Sequence, residues 1–130
     1  MQKDFQKWHG EKAGLHHEKV RPFFHEREVW FCSLGANIGF EQDGSGERYL
    51  RPILVLHKFN NEVLWILHFT KHNKKGKYYF DVNISGISTP STAILSQVRL
   101  VDAKRLQYKM GDVSKNDFVE IKKRFKALLD

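Results

Sequence analysis

Residues Arg51 to Thr70 read RPILVLHKFNNEVLWILHFT, and the pairing of this stretch with itself decides how the rest of the chain is organised. Two apolar runs flank Asn60-Asn61, a pair that tolerates the positive φ of a two-residue hairpin turn. If Phe59 pairs with Glu62, facing residues have positions that sum to 121, and Arg51 faces Thr70. Opposed side chains in an antiparallel pair stand ~5 Å apart at Cβ, so a fixed cation and a hydroxyl meet at the open end of the hairpin. Leu54, Leu56, Val63, Trp65, Leu67 and Phe69 then form one unbroken apolar face, the expected core side. The other face is apolar in its middle and ends in Arg51, His68 and Thr70. A one-residue slip would turn all of these over, which is why the pattern fixes the register.

Upstream lies GANIGFEQDGSGERYLRP, residues 35–52, a glycine-rich loop that ends above the same open end. It carries Glu41, Gln42 and Arg48 and lacks both the P-loop pattern and a dinucleotide fingerprint. Downstream, KHNKKGK at 71–77 sets Lys71, Lys74, Lys75 and Lys77 beside Tyr78 and Tyr79, a basic turn next to aromatic rings. Cations that hold phosphates beside rings that accept unstacked bases suit single-stranded nucleic acid. In AILSQVRL, strict alternation puts Gln97 and Arg99 on one face and Ile94, Ser96, Val98 and Leu100 on the other. Gln97 offers donor and acceptor groups to a base edge, and Arg99 suits a phosphate.

The runs EVWFCSL, PILVLHKF, VLWILHF, KYYFDVNI and AILSQVRLV are five strand candidates, separated by Gly, Asn and Ser clusters. They predict a mainly β domain, a small barrel or sandwich over 27–130. Ser114 and Asp117 have the spacing of a capping box, and Phe118, Ile121, Phe125, Leu128 and Leu129 recur at helical spacing, so a C-terminal amphipathic helix packs on the sheet. Residues 1–26, with Phe5, Trp8, Leu15 and Val20 thinly spaced, read as an N-terminal helical arm with a weak apolar stripe or as a partly ordered extension.

At 130 residues and 41% hydrophobic content the chain is long and apolar enough for one packed domain. One cysteine, Cys32, rules out an internal disulfide and reads as a small apolar packing residue of the first strand. No run is long enough to span a bilayer and the N-terminus lacks a signal-peptide core, so the expected location is cytoplasmic, with no membrane partner. The histidines scatter without metal-ligand spacing, and neither a metal nor a cofactor is expected. A formal charge of +7 attracts polyanions and makes nucleic acid a natural partner.

Taken in order, EVWFCSLGANIGFEQDG, RPILVL, a strand ending in Thr70, AILSQVRLVDAKRL and a closing amphipathic helix resemble the MazF/PemK (Kid-like) toxins of type II toxin-antitoxin modules, over residues 27–129. Trp8 and FFHERE at 23–28 are similar to a longer PemK-like subgroup with an N-terminal extension. The resemblance implies an SH3-like β-barrel with a C-terminal helix, assembled as a homodimer and inhibited by a cognate antitoxin laid over its RNA-binding surface. It implies metal-independent, sequence-selective cleavage of single-stranded RNA. By the same resemblance Arg51 is catalytic, Thr70 is its partner, Gln97 holds RNA with Arg99 close behind, and Glu41-Gln42 lie in a mobile flap. An Arg and an Asp that serve acid–base roles in the Kid-like branch correspond here to Ile94 and Ser96, so that mechanism does not transfer.

The expected reaction is attack of a ribose 2′-oxygen on the adjacent phosphate, with Arg51 stabilising the added negative charge and Thr70 positioning the phosphate. The general base is open between Glu41 and His68, since a base must reach the 2′-hydroxyl. Two other readings remain: a non-catalytic RNA- or protein-binding SH3-like module, and a gyrase poison on the same barrel.

Overall fold

The apolar run Ile53–Leu56 of the central hairpin is buried on both of its faces, and this organises the molecule around a sheet with a core on each side. A computed structural model describes residues 3–17, 20–35, 50–70 and 74–130. In chain order these form α1 (Phe5–His17), β1 (Glu28–Ser33), β2 (Leu50–Lys58), β3 (Val63–Thr70), β4 (Tyr79–Val82), β5 (Ser91–Asp102), a 3-10 turn (Ala103–Arg105), β6 (Leu106–Asp112) and α2 (Lys115–Ala127). The six strands make one antiparallel sheet in the order β4-β5-β3-β2-β1-β6. Its two ends meet through a single bridge, Ile84 with Val113, supported by Ser85 N donating to Asp112 O at 2.9 Å. The expected barrel is therefore a strongly curved sheet that a full ladder does not close.

One core contains Val29, Leu54, Leu56, Leu67, Phe69 and Leu95 and is capped by Phe118 and Ile121 of α2. The other gathers Trp30, Cys32, Ile53, Val55, Leu64 and Ile66 under Phe24, with Val101, Ala103 and Leu106 at its edge. Alternation along a strand normally separates a wet face from a dry one, so a strand buried on both faces needs cover on both. Burial pushes the Cys32 thiol up to about 12, consistent with an inert packing role.

The hairpin turn differs from expectation. Neither Asn60 nor Asn61 has positive φ. Phe59 N donates to Val63 O at 3.3 Å, and Asn60 Oδ1 accepts from Glu62 N and Val63 N at 2.8 and 2.9 Å. The loop thus holds one residue more than a two-residue turn, and an Asx-type side-chain cap closes it. A bulge between Val55 and His57 absorbs the difference, so His57 faces Trp65, whereas Val55↔Ile66, Leu54↔Leu67 and Ile53↔His68 keep the expected pairing. At the open end the sequence-derived register therefore holds.

Two more expectations are corrected. Trp65 and Leu129, assigned to core stripes, are 38% and 82% exposed, while Ile53, Val55 and Leu64 on the supposed outer face are fully buried. The polar segment LQYKMGD forms a sixth strand, β6, which alternation alone does not mark. Ser114 caps α2, its side chain accepting from Asp117 N at 3.1 Å; the other half of the box is missing, because Asp117 Oδ2 accepts from Asn83 N instead. Among the described residues no helix is long and apolar enough to cross a membrane.

Candidate nucleic-acid interface

The open end of the β2–β3 hairpin lies on the Cys32/Ile53/Ile66 side of the sheet. Arg51 pairs with Cys32 in β1, and its Nη2 donates to Phe69 O at 2.9 Å, across β3 and next to Thr70. Carried two residues past Ile53↔His68, the ladder register sets Arg51 opposite Thr70. Both are half-buried. The hydrogen bond to a main-chain carbonyl limits the swing of a long side chain, so the guanidinium is held at the strand end.

Beside them, on β3, His68 is 3% exposed and its Nδ1 has no hydrogen-bond partner among the described residues. Burial first, then the positive charges of Arg51 and Arg99, push its imidazole down to about 4. It is therefore neutral at pH 7. Direct contact with a ribose hydroxyl would require it to be uncovered.

Arg99 reaches this neighbourhood because of a large irregularity in β5. Ile66 opposes Arg99 and His68 opposes Ile94, so Leu67 alone on β3 stands against residues 95–98 of β5. Such a bulge breaks strict alternation: Ile94 is buried and shares a face with His68, contrary to the expected Ile94/Ser96/Val98/Leu100 face. Gln97 lies inside the bulge and is half-buried, as is Arg99. The bulge thus sets Arg99 on the His68 side of the sheet, while Gln97 lies within the bulge without a ladder partner on β3.

Known proteins share this fold. Residues 25–129 match the family model of the PemK-like, MazF-like toxin of type II toxin-antitoxin systems. The chain belongs to that family. No curated protein matches it. Among solved structures it is similar to an endoribonuclease in complex with its cognate antitoxin from a mycobacterial species, at 12% identity, TM-score 0.64, covering 82% of this chain and 95% of that one. It is also similar to MazF from Deinococcus radiodurans, at 14% identity, TM-score 0.63, covering 85% and 98%. Toxin MazF-mt6 of Mycobacterium tuberculosis follows at 13% identity and TM-score 0.62, covering 80% and 97%. At these identities the likeness is one of fold.

In this PemK/MazF-like chain two groups of cations among the described residues correspond to the sequence-derived site. Around the open hairpin end stand Arg51 and Arg99, and Arg105 joins them: burial first, then the charge of Arg99, lowers the Arg105 pKa, while its Nη1 donates to Ser33 O at 3.2 Å. Sequence reasoning passes over Arg105 because nothing in AKRL distinguishes it from an ordinary exposed turn cation. The second patch is the turn after β3, where Lys74, Lys75, Lys77 and Tyr78 are all exposed. Lys77 Nζ lies 5.2 Å from the Tyr78 ring centroid and Lys74 Nζ 5.8 Å from that of Tyr79, so these lysines rest on the rings they were expected to flank. Glu41, Gln42, Arg48 and Lys71 lie outside the described residues. Among the described residues no cluster of His, Cys, Asp and Glu has the arrangement of a metal site.

Proposed function

We propose that the protein is a type II toxin that cleaves single-stranded RNA sequence-selectively, in the cytoplasm, by attack of a ribose 2′-hydroxyl. The observation that carries this reading is the anchored guanidinium of Arg51 at the strand end that Thr70 closes, within a family of toxins. In the step itself the 2′-oxygen attacks phosphorus, the bond to the 5′-oxygen breaks, and the products are a 2′,3′-cyclic phosphate and a 5′-hydroxyl. The 2′-hydroxyl proton passes to a general base and a proton is returned to the departing 5′-oxygen. Arg51 stabilises the charge that builds on the phosphoryl oxygens, an effect strengthened in a partly desolvated site. Thr70 positions the phosphate, and Gln97 and Arg99 hold the flanking nucleotide. Glu41 is the candidate base, with neutral His68 behind the cation shaping the site; Gln42, Arg48, Lys71, Lys74, Lys75, Lys77 and Tyr78 extend the contact with RNA. The route itself requires no metal.

The toxin acts as a homodimer that a cognate antitoxin silences. A physical basis for self-association is an exposed apolar patch on which Trp65 faces Leu100 across the β3–β5 ladder, with Phe59 and Phe125 against the Trp65 ring at centroid distances of 5.0 and 6.4 Å. Exposed apolar area of this kind is characteristic of homodimer contacts.

The decisive experiment is cleavage of a long mixed-sequence RNA with EDTA present, mapped to the nucleotide, with cyclic-phosphate ends assayed. Arg51→Ala lowers the cleavage rate by roughly 10²–10³ while circular dichroism stays unchanged, the loss expected when one charge-stabilising group is removed. Undiminished cleavage by the folded variant refutes the assignment. Tight RNA binding without cleavage by the wild-type chain leaves only a binding module.

A further inference from the structure

The arm precedes the residues matched by the family model, yet it is built into the domain. Trp8, 5% exposed, lies directly over Gly35 at the exit of β1, so a Cβ at Gly35 would collide with the Trp8 ring. The Arg105 guanidinium also lies against this ring, 5.5 Å from its centroid. Lys104 Nζ donates to His16 O at 2.9 Å, and Arg21 grips Asp102 through Nε and Nη2 at 2.9 and 2.8 Å.

Between α1 and the 3-10 turn these contacts leave a cavity of about 260 Å³. Its charged and titratable lining consists of Lys12, His16, Arg21, Lys104 and Arg105, with Asp102 as the single carboxylate, and Arg21 already neutralises that carboxylate. The cavity is therefore cationic on balance, a lining that suits an anion. It also adjoins the candidate cleavage site: Arg105, which lines the cavity, donates through Nη1 to Ser33 O at 3.2 Å, and Ser33 follows Cys32, the β1 partner of Arg51. A line of cations separated by short gaps is what a polynucleotide backbone follows.

We propose that the arm and the 3-10 turn form a phosphate-binding subsite for RNA flanking the scissile bond, so that the substrate track runs from Arg51 past Arg99 and Arg105 to Lys12 and His16. This rests on the RNA-cleaving reading above and adds to it a longer footprint, supplied by a segment that the family model does not include. Trp8 is the positioning residue, holding Arg105 against the base of the arm.

The probes are two fully 2′-O-methylated, fluorescein-labelled single-stranded RNAs, one short and one three times as long, which bind but present no 2′-hydroxyl for cleavage. Lys12 and His16 carry exposed side chains, so Lys12→Glu/His16→Gln in the full chain leaves the packing intact. The variant binds the long RNA about tenfold more weakly than wild type, binds the short one unchanged, and shows a shallower salt dependence with the long RNA alone, as expected when phosphate contacts are lost. Equal weakening with both lengths, no weakening with either, or no wild-type preference for the long RNA overturns the proposal. Its failure is distinct from that of the parent reading: loss of arm-dependent binding with Arg51-dependent cleavage intact removes only the subsite, while cleavage that survives Arg51→Ala removes the parent reading whatever the arm does.

Discussion

His68 makes acid stability a direct measure of how the site is assembled. The imidazole is buried on β3 with Arg51 of β2 and Arg99 of β5 as its charged neighbours, and it is pushed from an ordinary 6.5 down to about 4. A histidine depressed in the folded state binds a proton more readily when unfolded, so stability falls as the pH drops through 6.5 and levels off only below the folded value. Each tenfold loss of proton affinity corresponds to about 1.4 kcal/mol, so the whole effect amounts to about 3 kcal/mol. By pH 5 about 2 kcal/mol of it is lost, as the folded chain stays neutral while the unfolded chain is almost fully protonated. Urea unfolding at pH 7.5 and pH 5.0, on wild type and His68→Gln, isolates this contribution because those of carboxylates common to both chains cancel in the difference. The variant loses about 2 kcal/mol less than wild type over this interval. Equal losses refute the reasoning, as does an imidazole NMR titration of the wild-type chain with a midpoint near the ordinary 6.5.

Three other perturbations probe separate parts of the fold. Gly35→Ala adds a Cβ at φ +79, directly against Trp8, so it releases the arm; intrinsic tryptophan emission moves to the red and stability falls by more than the ~1–2 kcal/mol of the left-handed backbone alone. Ser114→Ala removes the cap that accepts from Asp117 N and costs about 1 kcal/mol in chemical denaturation, with RNA cleavage unchanged. Trp65→Glu sets a charge in the exposed Trp65/Leu100 patch; if the proposed homodimer forms there, the mass by light scattering falls to that of a monomer, and an unaltered mass places the contact elsewhere.

The open end of the hairpin is legible in the sequence for a reason that survives an error. Asn60-Asn61 suggests a tight turn, and the longer loop would shift every pair by one, except that the bulge before His57 shifts them back. Side-chain period is two, so the two irregularities cancel for Ile53, Arg51 and Thr70 and remain visible only near the tip, where His57 instead of Leu56 opposes Trp65. Strand β6 escapes notice because its half-buried and exposed residues pair by main chain with β1, a source of stability that leaves no apolar pattern. The β5 bulge is equally illegible: no glycine or proline interrupts AILSQVRL, and the reversal of sides between Ile94 and Arg99 arises from how β5 meets β3.

That bulge also explains how a cation-rich site coexists with a core on the same face. An unbroken β5 alternation would have carried the Ile94 side of the strand straight through to residue 98, and Arg99 would have pointed into the opposite, Leu54/Leu67 core, where an unpaired guanidinium is costly. With residues 95–98 set against Leu67 alone, Leu95 still fills that core while Arg99 emerges on the His68 side. The cost reappears at His68, whose charged form is suppressed by burial and by two guanidinium groups. Replacement of His68 by lysine would therefore place a third cation in the same enclosure, whereas glutamine preserves neutrality. A neutral imidazole is the form of residue 68 that adds no further positive charge beside Arg51 and Arg99.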